Sequence, residues 1–270
     1  MPSNLSSRET TLLIAAMALV VLAIWGPVTP QPAGYHDFAD RRALLDLPFA
    51  LDVLSSLAFA AAGLMGLRML AALPPHTITN MQRAMAMLFF AGLLLTAAAS
   101  VWYHWDPDDA SLAVHRTAAA TACAGLLGFA VATHVSERAA AATGLALLVL
   151  GPLAVRTWSA TGNLLPWTAL QAGGMALLVW LGLLRRRFGA PDVHWAAVML
   201  ALVAGKLLEL ADHDVYQLTD GMVAGHALQH LVAAAAAWPV VAALAALRPR
   251  RQRGAVATIT RVSSHPLGDA

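Results

Sequence analysis

The sequence predicts an all-α protein, a polytopic bundle of transmembrane helices. Three observations support this fold class. Of the 270 residues, 59% are hydrophobic and only 12% are charged, and the mean hydropathy is +0.65, which is more apolar surface than a soluble domain buries. The apolar residues fall into eight segments of roughly 17–25 residues, the length that crosses a bilayer as a helix. Arginines concentrate in alternate loops between these segments, as in membrane proteins.

The eight segments lie near 10–28, 49–72, 82–104, 112–133, 138–156, 165–184, 193–211 and 221–247. The first follows Arg8 and reads as a signal peptide or as an uncleaved anchor. The anchor is favoured because no small-x-small cleavage site follows. Residues 249–270 are polar and lack periodicity, which predicts a disordered cytoplasmic tail. We therefore expect an N-terminal span (1–34), a membrane domain (35–248) and a tail (249–270).

The loop charges predict an orientation in the membrane. The positive loops share one side of an eight-span bundle, whereas the loops at 36–46, 106–109 and 212–220 are acidic or mixed. The positive-inside rule then places both termini in the cytoplasm. A composition rich in arginine, alanine and leucine suggests a bacterial inner membrane. The net charge of +2 gives no indication of a nucleic-acid partner. The positive residues are Arg8, Arg83, Arg138, Arg185 to Arg187, Arg248, Arg250, Arg251 and Arg253.

Three histidines stand in or beside the apolar segments. His104 ends the third span, and His226 and His230 occupy one face of the eighth because they are spaced i, i+4. The topology brings all three to the non-cytoplasmic end. Three imidazoles and an open position form the ligand set of a catalytic zinc site; the alternative is hydrogen bonding between helices. Ser100, one turn before His104, is expected to face the same site.

Five other polar residues leave alternatives open. His115 is expected to be a general base, a ligand in the open position, or an interfacial histidine. Asp52 is expected either to accept a hydrogen bond from a ligating histidine and fix its tautomer, or to cap the second span. Lys206, Glu209 and Asp212 form a charge-compensated cluster that locks helices together, or a proton relay.

The first loop between spans contains acidic residues that are candidate ligands for a hard cation such as calcium. These are Asp37, Asp40 and Asp46. Arg41 and Arg42 lie among them, so salt bridges are favoured over a cation site.

Two patterns concern helix packing. GMVAG at 221–225 is a small-xxx-small sequence that permits close helix approach beside His226. Tryptophans near the span ends predict an aromatic belt at the membrane surface. They are Trp25, Trp102, Trp105, Trp158 and Trp167.

The ordered pair Ser100-x3-His104 and His226-x3-His230 resembles the alkaline ceramidase family, part of a superfamily of seven-helix membrane hydrolases that includes the adiponectin-type receptors. GKLLELADHDVYQLTDGMVAGHALQHLVAA and FADRRALLDLPFALDVLSSLAF look like its bacterial branch in particular. The resemblance covers about residues 35–247. It implies a seven-helix core with one extra N-terminal span.

The resemblance also implies an activity. Zinc would be held by His104, His226 and His230, and Ser100 would line the site. A zinc-activated water would cleave the amide bond of an N-acyl, ceramide-like membrane lipid. Zinc and the Ser100 hydroxyl would then stabilise the developing oxyanion.

This chain departs from the family at two sites. The family carries a proton-transferring aspartate about eleven residues after the first zinc histidine, and here that position is His115. The second departure is Ser56, where relatives tend to have asparagine after serine. The calcium site of the animal enzymes is also not recognisable in residues 35–46. Two alternatives to an amidase therefore stay open: a receptor or sensor that keeps the metal without turnover, and a b-type haem protein that uses these histidines as axial ligands.

Overall fold

The computed structural model describes residues 4–248, and this part of the chain is helical without a strand. The predicted all-α fold is confirmed. The predicted tail at 249–270 lies outside the described residues. The helices are α1 Ser7–Trp25, α2 Ala50–Ala71, α3 Asn80–Trp105, α4 Asp109–His134, α5 Glu137–Thr161, α6 Leu165–Leu183, α7 Trp195–Leu210, α8 Asp212–Leu218, α9 Gly225–Ala235 and α10 Trp238–Ala246.

Seven helical segments between residues 4 and 248 are long and apolar enough to cross a membrane. They are α1 to α6 and the pair α9 and α10, which together run over Gly225–Ala246. The segment predicted at 193–211 forms α7, which has 16 residues. At 1.5 Å per residue α7 spans about 24 Å, less than the roughly 30 Å hydrocarbon core. It is followed by the short helix α8.

Local chemistry sets the helix ends. The last helical pair is interrupted between Ala235 and Trp238 because Pro239 has no N–H to give to the carbonyl of Ala235. Three helices begin with capping boxes. In each box the N-cap side chain accepts from the backbone N–H three residues later, and the side chain of that later residue accepts from the backbone N–H of the N-cap. These are Ser6 with Glu9, Thr79 with Gln82, and Asp108 with Ser111.

Helix α1 is an addition at the periphery of the bundle. Only a small part of it is buried, and it packs on α6. Its first turn is anchored: the carboxylate of Glu9 accepts hydrogen bonds from Arg138 and from the Ser136 hydroxyl, both at 2.6 Å. The adjacent Arg8 donates to the carbonyl of His134 at 2.7 Å. These contacts tie the start of α1 to the junction of α4 and α5.

The loops gather at two opposite ends, as the charge pattern predicts. At the basic end, defined by Arg8 and the α4–α5 junction, the Arg187 N–H also donates to the Thr133 carbonyl. At the other end, which we call the site end, loop 26–49 meets the start of α4 and the α8–α9 junction. His36 contacts Asp109 there, and Arg42 donates to the carbonyl of Met222 at 2.8 Å.

Candidate metal centre

The structure brings the three predicted histidines together at the site end. His104 comes from the last turn of α3, and His226 and His230 come from the first two turns of α9. Their ring centroids lie 4.8–5.0 Å apart, and one nitrogen from each ring lies within 4.8 Å of the other two. His104 and His230 are fully buried, and His226 is half-buried. We call these three residues the histidine triad.

The ring nitrogens of the triad fit a metal ion. Both nitrogens of His104 and the Nε2 atoms of His226 and His230 are buried without a hydrogen-bond partner in the described part of the chain. Such atoms are rare because an unpaired buried polar group costs about 1–3 kcal/mol. Ligand nitrogens around tetrahedral zinc lie about 3.4 Å apart. A separation of at most 4.8 Å therefore closes onto an ion with small side-chain movements.

Ser55 contacts His230 in a way that favours one tautomer, and the sequence did not single it out. The Ser55 hydroxyl donates to the Asp52 carbonyl at 3.1 Å. Its oxygen lies 2.8 Å from Nδ1 of His230, and with its proton on the carbonyl it accepts from that nitrogen. The proton on Nδ1 leaves a lone pair on Nε2, which is the atom a metal needs. A serine one turn after a buried aspartate in an apolar helix was the available sequence signal.

Ser100 lies beside the triad in a chain of hydroxyls. It is fully buried, and its Oγ lies 2.8 Å from Oγ of Ser56. Ser56 donates to the Asp52 carbonyl at 2.8 Å, so Ser100 donates to Ser56. With its proton on Ser56, Ser100 keeps its lone pairs available as acceptors.

Asp52 fills neither of its two predicted roles. It is 1% exposed, and neither carboxylate oxygen has a hydrogen-bond partner among the described residues. Its carboxylate accepts nothing from a histidine side chain, and it does not cap α2. The reason is that its backbone carbonyl, and not its carboxylate, receives the hydroxyls of Ser55 and Ser56.

His115 lies at the edge of the site and is not part of the triad. Its ring stacks on Tyr103, with centroids 5.8 Å apart and an interplanar angle of 8°. Tyr103 is held in turn, because its hydroxyl lies 2.9 Å from Nδ1 of His36. The predicted role as a ligand in the open position is not realised in this arrangement. A half-buried imidazole beside the triad remains in a place suited to proton transfer.

Phe38 forms a roof over the triad. Its ring centroid lies 4.8 Å from those of His104 and of His226, and its side chain is 4% exposed. Phe38 belongs to loop 26–49, and Asp212 holds this loop through a hydrogen bond. One Asp212 oxygen accepts the Ala39 N–H at 2.9 Å, and the other accepts the His226 N–H at 2.7 Å. Asp212 thus couples the roof to the helix that carries two triad members.

The predicted charge cluster on the seventh segment is not one cluster. Lys206 pairs with Glu209 at 2.7 Å within α7, and the lysine side chain is 45% exposed. In the described part of the chain this pair makes no hydrogen bond to a second helix, so the predicted locking of helices by such bonds is not found for Lys206 and Glu209. Of the three residues, Asp212 makes the hydrogen bonds that connect separate segments, through backbone N–H groups.

Two of the three acidic residues of loop 26–49, Asp37 and Asp40, are paired with arginine, as the interleaved sequence suggests. Asp37 forms an ion pair with Arg41. Asp40, which is buried, accepts from Arg42 at 2.7 and 2.8 Å. The guanidinium of Arg42 holds the pKa of the Asp40 carboxyl below its ordinary value.

Two of the five predicted belt tryptophans lie inside the protein. Trp158 and Trp167 are 4% and 6% exposed. They enclose the buried guanidinium of Arg116, whose Cζ lies 4.1 Å from the Trp158 ring and 5.0 Å from that of Tyr35. Hydropathy near a span end does not distinguish a ring facing lipid from one facing a buried cation.

Gly225 lets α9 approach α7, which confirms half of the GMVAG prediction; Gly221 lies in the turn before α9, with a φ of 74°, and does not share its helix. A Cβ atom at Gly225 would lie 2.3 Å from the carbonyl oxygen of Leu208 and 2.9 Å from Cα of Asp212. Both are backbone atoms that cannot turn aside. The absence of a side chain at Gly225 therefore positions His226, the next residue.

No model of a known protein family matches the chain, and no curated protein matches it. The fold and the site nevertheless define a class. The protein is a helical bundle of membrane type, and a group of three clustered histidines at one end could hold a metal ion.

Proposed function

We propose that the protein is a zinc-dependent membrane hydrolase that cleaves the amide bond of an N-acyl, ceramide-like lipid. The observation that carries the proposal is the histidine triad with its unpartnered ring nitrogens. The choice of an amide lipid rests on the resemblance of the ordered serine and histidine motifs to the alkaline ceramidases. The proposed setting is a bacterial inner membrane with the site end towards the periplasm.

The triad supplies three ligands, and Ser55 keeps one of them in the required tautomer. Zinc bound there would supply a Lewis acid that lowers the pKa of a bound water and polarises a carbonyl. Ser100 gives its proton to Ser56 and keeps its lone pairs, so its proposed role is to orient a water by accepting from it. It becomes an oxyanion donor only when its hydroxyl turns away from Ser56.

His115 is the proposed proton-transfer group. An imidazole exchanges protons near neutral pH, which suits the position where the family carries aspartate. Stacking on Tyr103 holds the ring at the edge of the triad without making it a ligand.

A non-catalytic receptor or sensor is the second candidate. Two observations favour it: His115 replaces the family aspartate, and Phe38 covers two of the three histidines. The haem alternative is disfavoured by the geometry, since a porphyrin has to fit between axial ligands. The triad rings are only 4.8–5.0 Å apart.

The metal assignment is tested first, by elemental analysis of the purified protein. We expect one zinc per chain, and its loss in the double variant His226→Ala/His230→Ala. Arg68→Ala is a matched control, because Arg68 lies in the last turn of α2 and lines a groove apart from the triad. An unchanged zinc content in the double variant would overturn the metal site.

The activity is tested by release of fatty acid from a panel of N-acyl lipids, with His226→Ala as the inactive control. Release by the wild-type protein supports the amidase. Absence of release from the zinc-loaded protein, together with release after His115→Asp, would support the non-catalytic candidate. A Soret band in the purified protein would instead establish haem.

A further inference from the structure

A second candidate site lies on the outside of the bundle, where α3, α4 and α5 leave a groove of about 620 Å³. Its rim, near the helix ends at the site end, includes Trp102, Ala113 and Ser159. Its inner end, about two turns deeper, includes Leu95 and Thr121. The groove therefore runs along the helices from the membrane-surface level towards the middle of the bundle.

The groove is separate from the histidine triad. Ala98, Ala99 and Trp102 of α3 line it. Ser100 and His104 on the same helix are fully buried and point into the bundle. Because successive residues of a helix are rotated by about 100°, one helix presents both faces. A ligand in the groove would touch neither the triad nor Phe38.

The walls are apolar apart from one cation. Three hydroxyls on the walls donate to carbonyls of their own helices, those of Thr117, Thr121 and Ser159. Arg156 is the only charged residue that lines the groove. Its side chain is exposed and forms no ion pair within residues 4–248.

Arg156 lies close to the end of α5 at the site end of the bundle. It precedes the end of α5 at Thr161 by five residues, which is about 7.5 Å along the axis. An unpaired arginine at this depth extends its guanidinium to the interface and pairs with an anion there. Phosphate is the anion a bilayer presents at that level, and guanidinium binds it in bidentate fashion.

We infer that this groove binds an anionic phospholipid, whose phosphate pairs with Arg156 and whose acyl chain lies along the apolar walls towards Leu95. The inference does not depend on the proposed hydrolase activity. It rests on one unpaired cation at the rim and on walls that offer an acyl chain only hydrocarbon contacts.

Trp102 provides the measurement because it lines the groove and is 52% exposed. The full chain is reconstituted in phosphatidylcholine vesicles that contain increasing fractions of phosphatidylglycerol with brominated acyl chains, which quench tryptophan on contact. The signal of Trp102 is isolated by subtracting that of Trp102→Phe. We expect half-maximal quenching at about a five-fold lower fraction of brominated phosphatidylglycerol than of brominated phosphatidylcholine, as one arginine near an anionic headgroup provides.

The charge is tested by variants. Arg156→Gln should abolish the preference for phosphatidylglycerol, and Arg156→Lys should keep most of it. Arg68→Gln is the matched control, because Arg68 lines a different groove beside α2 and should leave Trp102 quenching unchanged. Equal quenching by the two lipids in the wild-type protein, or a preference that survives Arg156→Gln, would overturn the inference. Trp102 shielded from both brominated lipids would also overturn it and would indicate that a second copy of the chain covers the groove.

Discussion

Replacing Ser55 with alanine should weaken zinc binding, although Ser55 is not a proposed ligand. Its oxygen lies 2.8 Å from Nδ1 of His230, and its proton is directed at the Asp52 carbonyl. Without the hydroxyl, the buried imidazole loses an acceptor that favours the tautomer with a free Nε2. The substitution therefore weakens zinc binding indirectly, by loosening the orientation of the His230 ring.

The expected loss is about 10- to 100-fold in affinity, the usual effect of removing a partner that orients a ligating histidine. This corresponds to about 1.4–2.7 kcal/mol. The assay is a competition titration of the detergent-solubilised protein against a chromophoric zinc chelator. Ser55→Thr keeps the hydroxyl and should retain most of the affinity.

Ser56→Ala is the matched control. Ser56 is the neighbouring serine and donates to the same carbonyl, but it bonds Ser100 and no histidine. We expect it to leave zinc affinity near the wild-type value. Equal affinities for wild type and Ser55→Ala, or equal losses in Ser55→Ala and Ser56→Ala, would refute the tautomer reasoning.

Three further outcomes are expected. Gly225→Ala should reduce bound zinc and the thermal midpoint, because the new Cβ meets the Leu208 carbonyl at 2.3 Å; a full zinc content by elemental analysis would contradict this. Arg42 lowers the folded-state pKa of Asp40, so its stabilisation is complete above the unfolded pKa of about 3.9 and is lost as the pH falls through the folded value. Thermal unfolding between pH 6 and pH 2 should show the wild type losing its advantage over Asp40→Asn on acidification, and a constant difference would disprove the coupling. Phe38→Ala should speed removal of zinc by a chelator, because the ring covers two triad members; an unchanged stopped-flow rate would show that the ring does not limit access.

Much of the fold could be predicted from the sequence, because the hydrocarbon core of a membrane constrains each segment through its length and hydropathy alone. An apolar segment of sufficient length forms a helix wherever it lies in the bundle. Alternation of direction then places residues at one end or the other. For this reason the sequence could predict that His104 lies at the same end of the bundle as His226 and His230, although more than a hundred residues separate them.

The role of Asp52 shows where that reasoning fails. A carboxylate near a histidine suggested a hydrogen bond through its side chain. In the structure, the curvature of one helical turn directs two serine hydroxyls to its backbone carbonyl instead. Backbone carbonyls have no signature in the sequence, so Ser55 was not recognised.

The predictions for Lys206, Trp158 and Trp167 did not hold for a related reason. Spacing along a helix fixes which residues share a face, but not what that face meets. Lys206 pairs within its own helix, and the two tryptophans turn inward to the buried Arg116.

By itself, the sequence determined the helical membrane-type fold, the two ends of the bundle and the three histidines that share one end. These follow from hydropathy, charge and helical periodicity, which are properties of each segment alone. The tertiary structure decided the rest: the Ser55 contact to His230, the Phe38 roof held by Asp212, and the lone Arg156 on the α3–α4–α5 groove. These depend on the rotation and separation of helices distant in the chain, and such distances are set only when the side chains of several segments pack together.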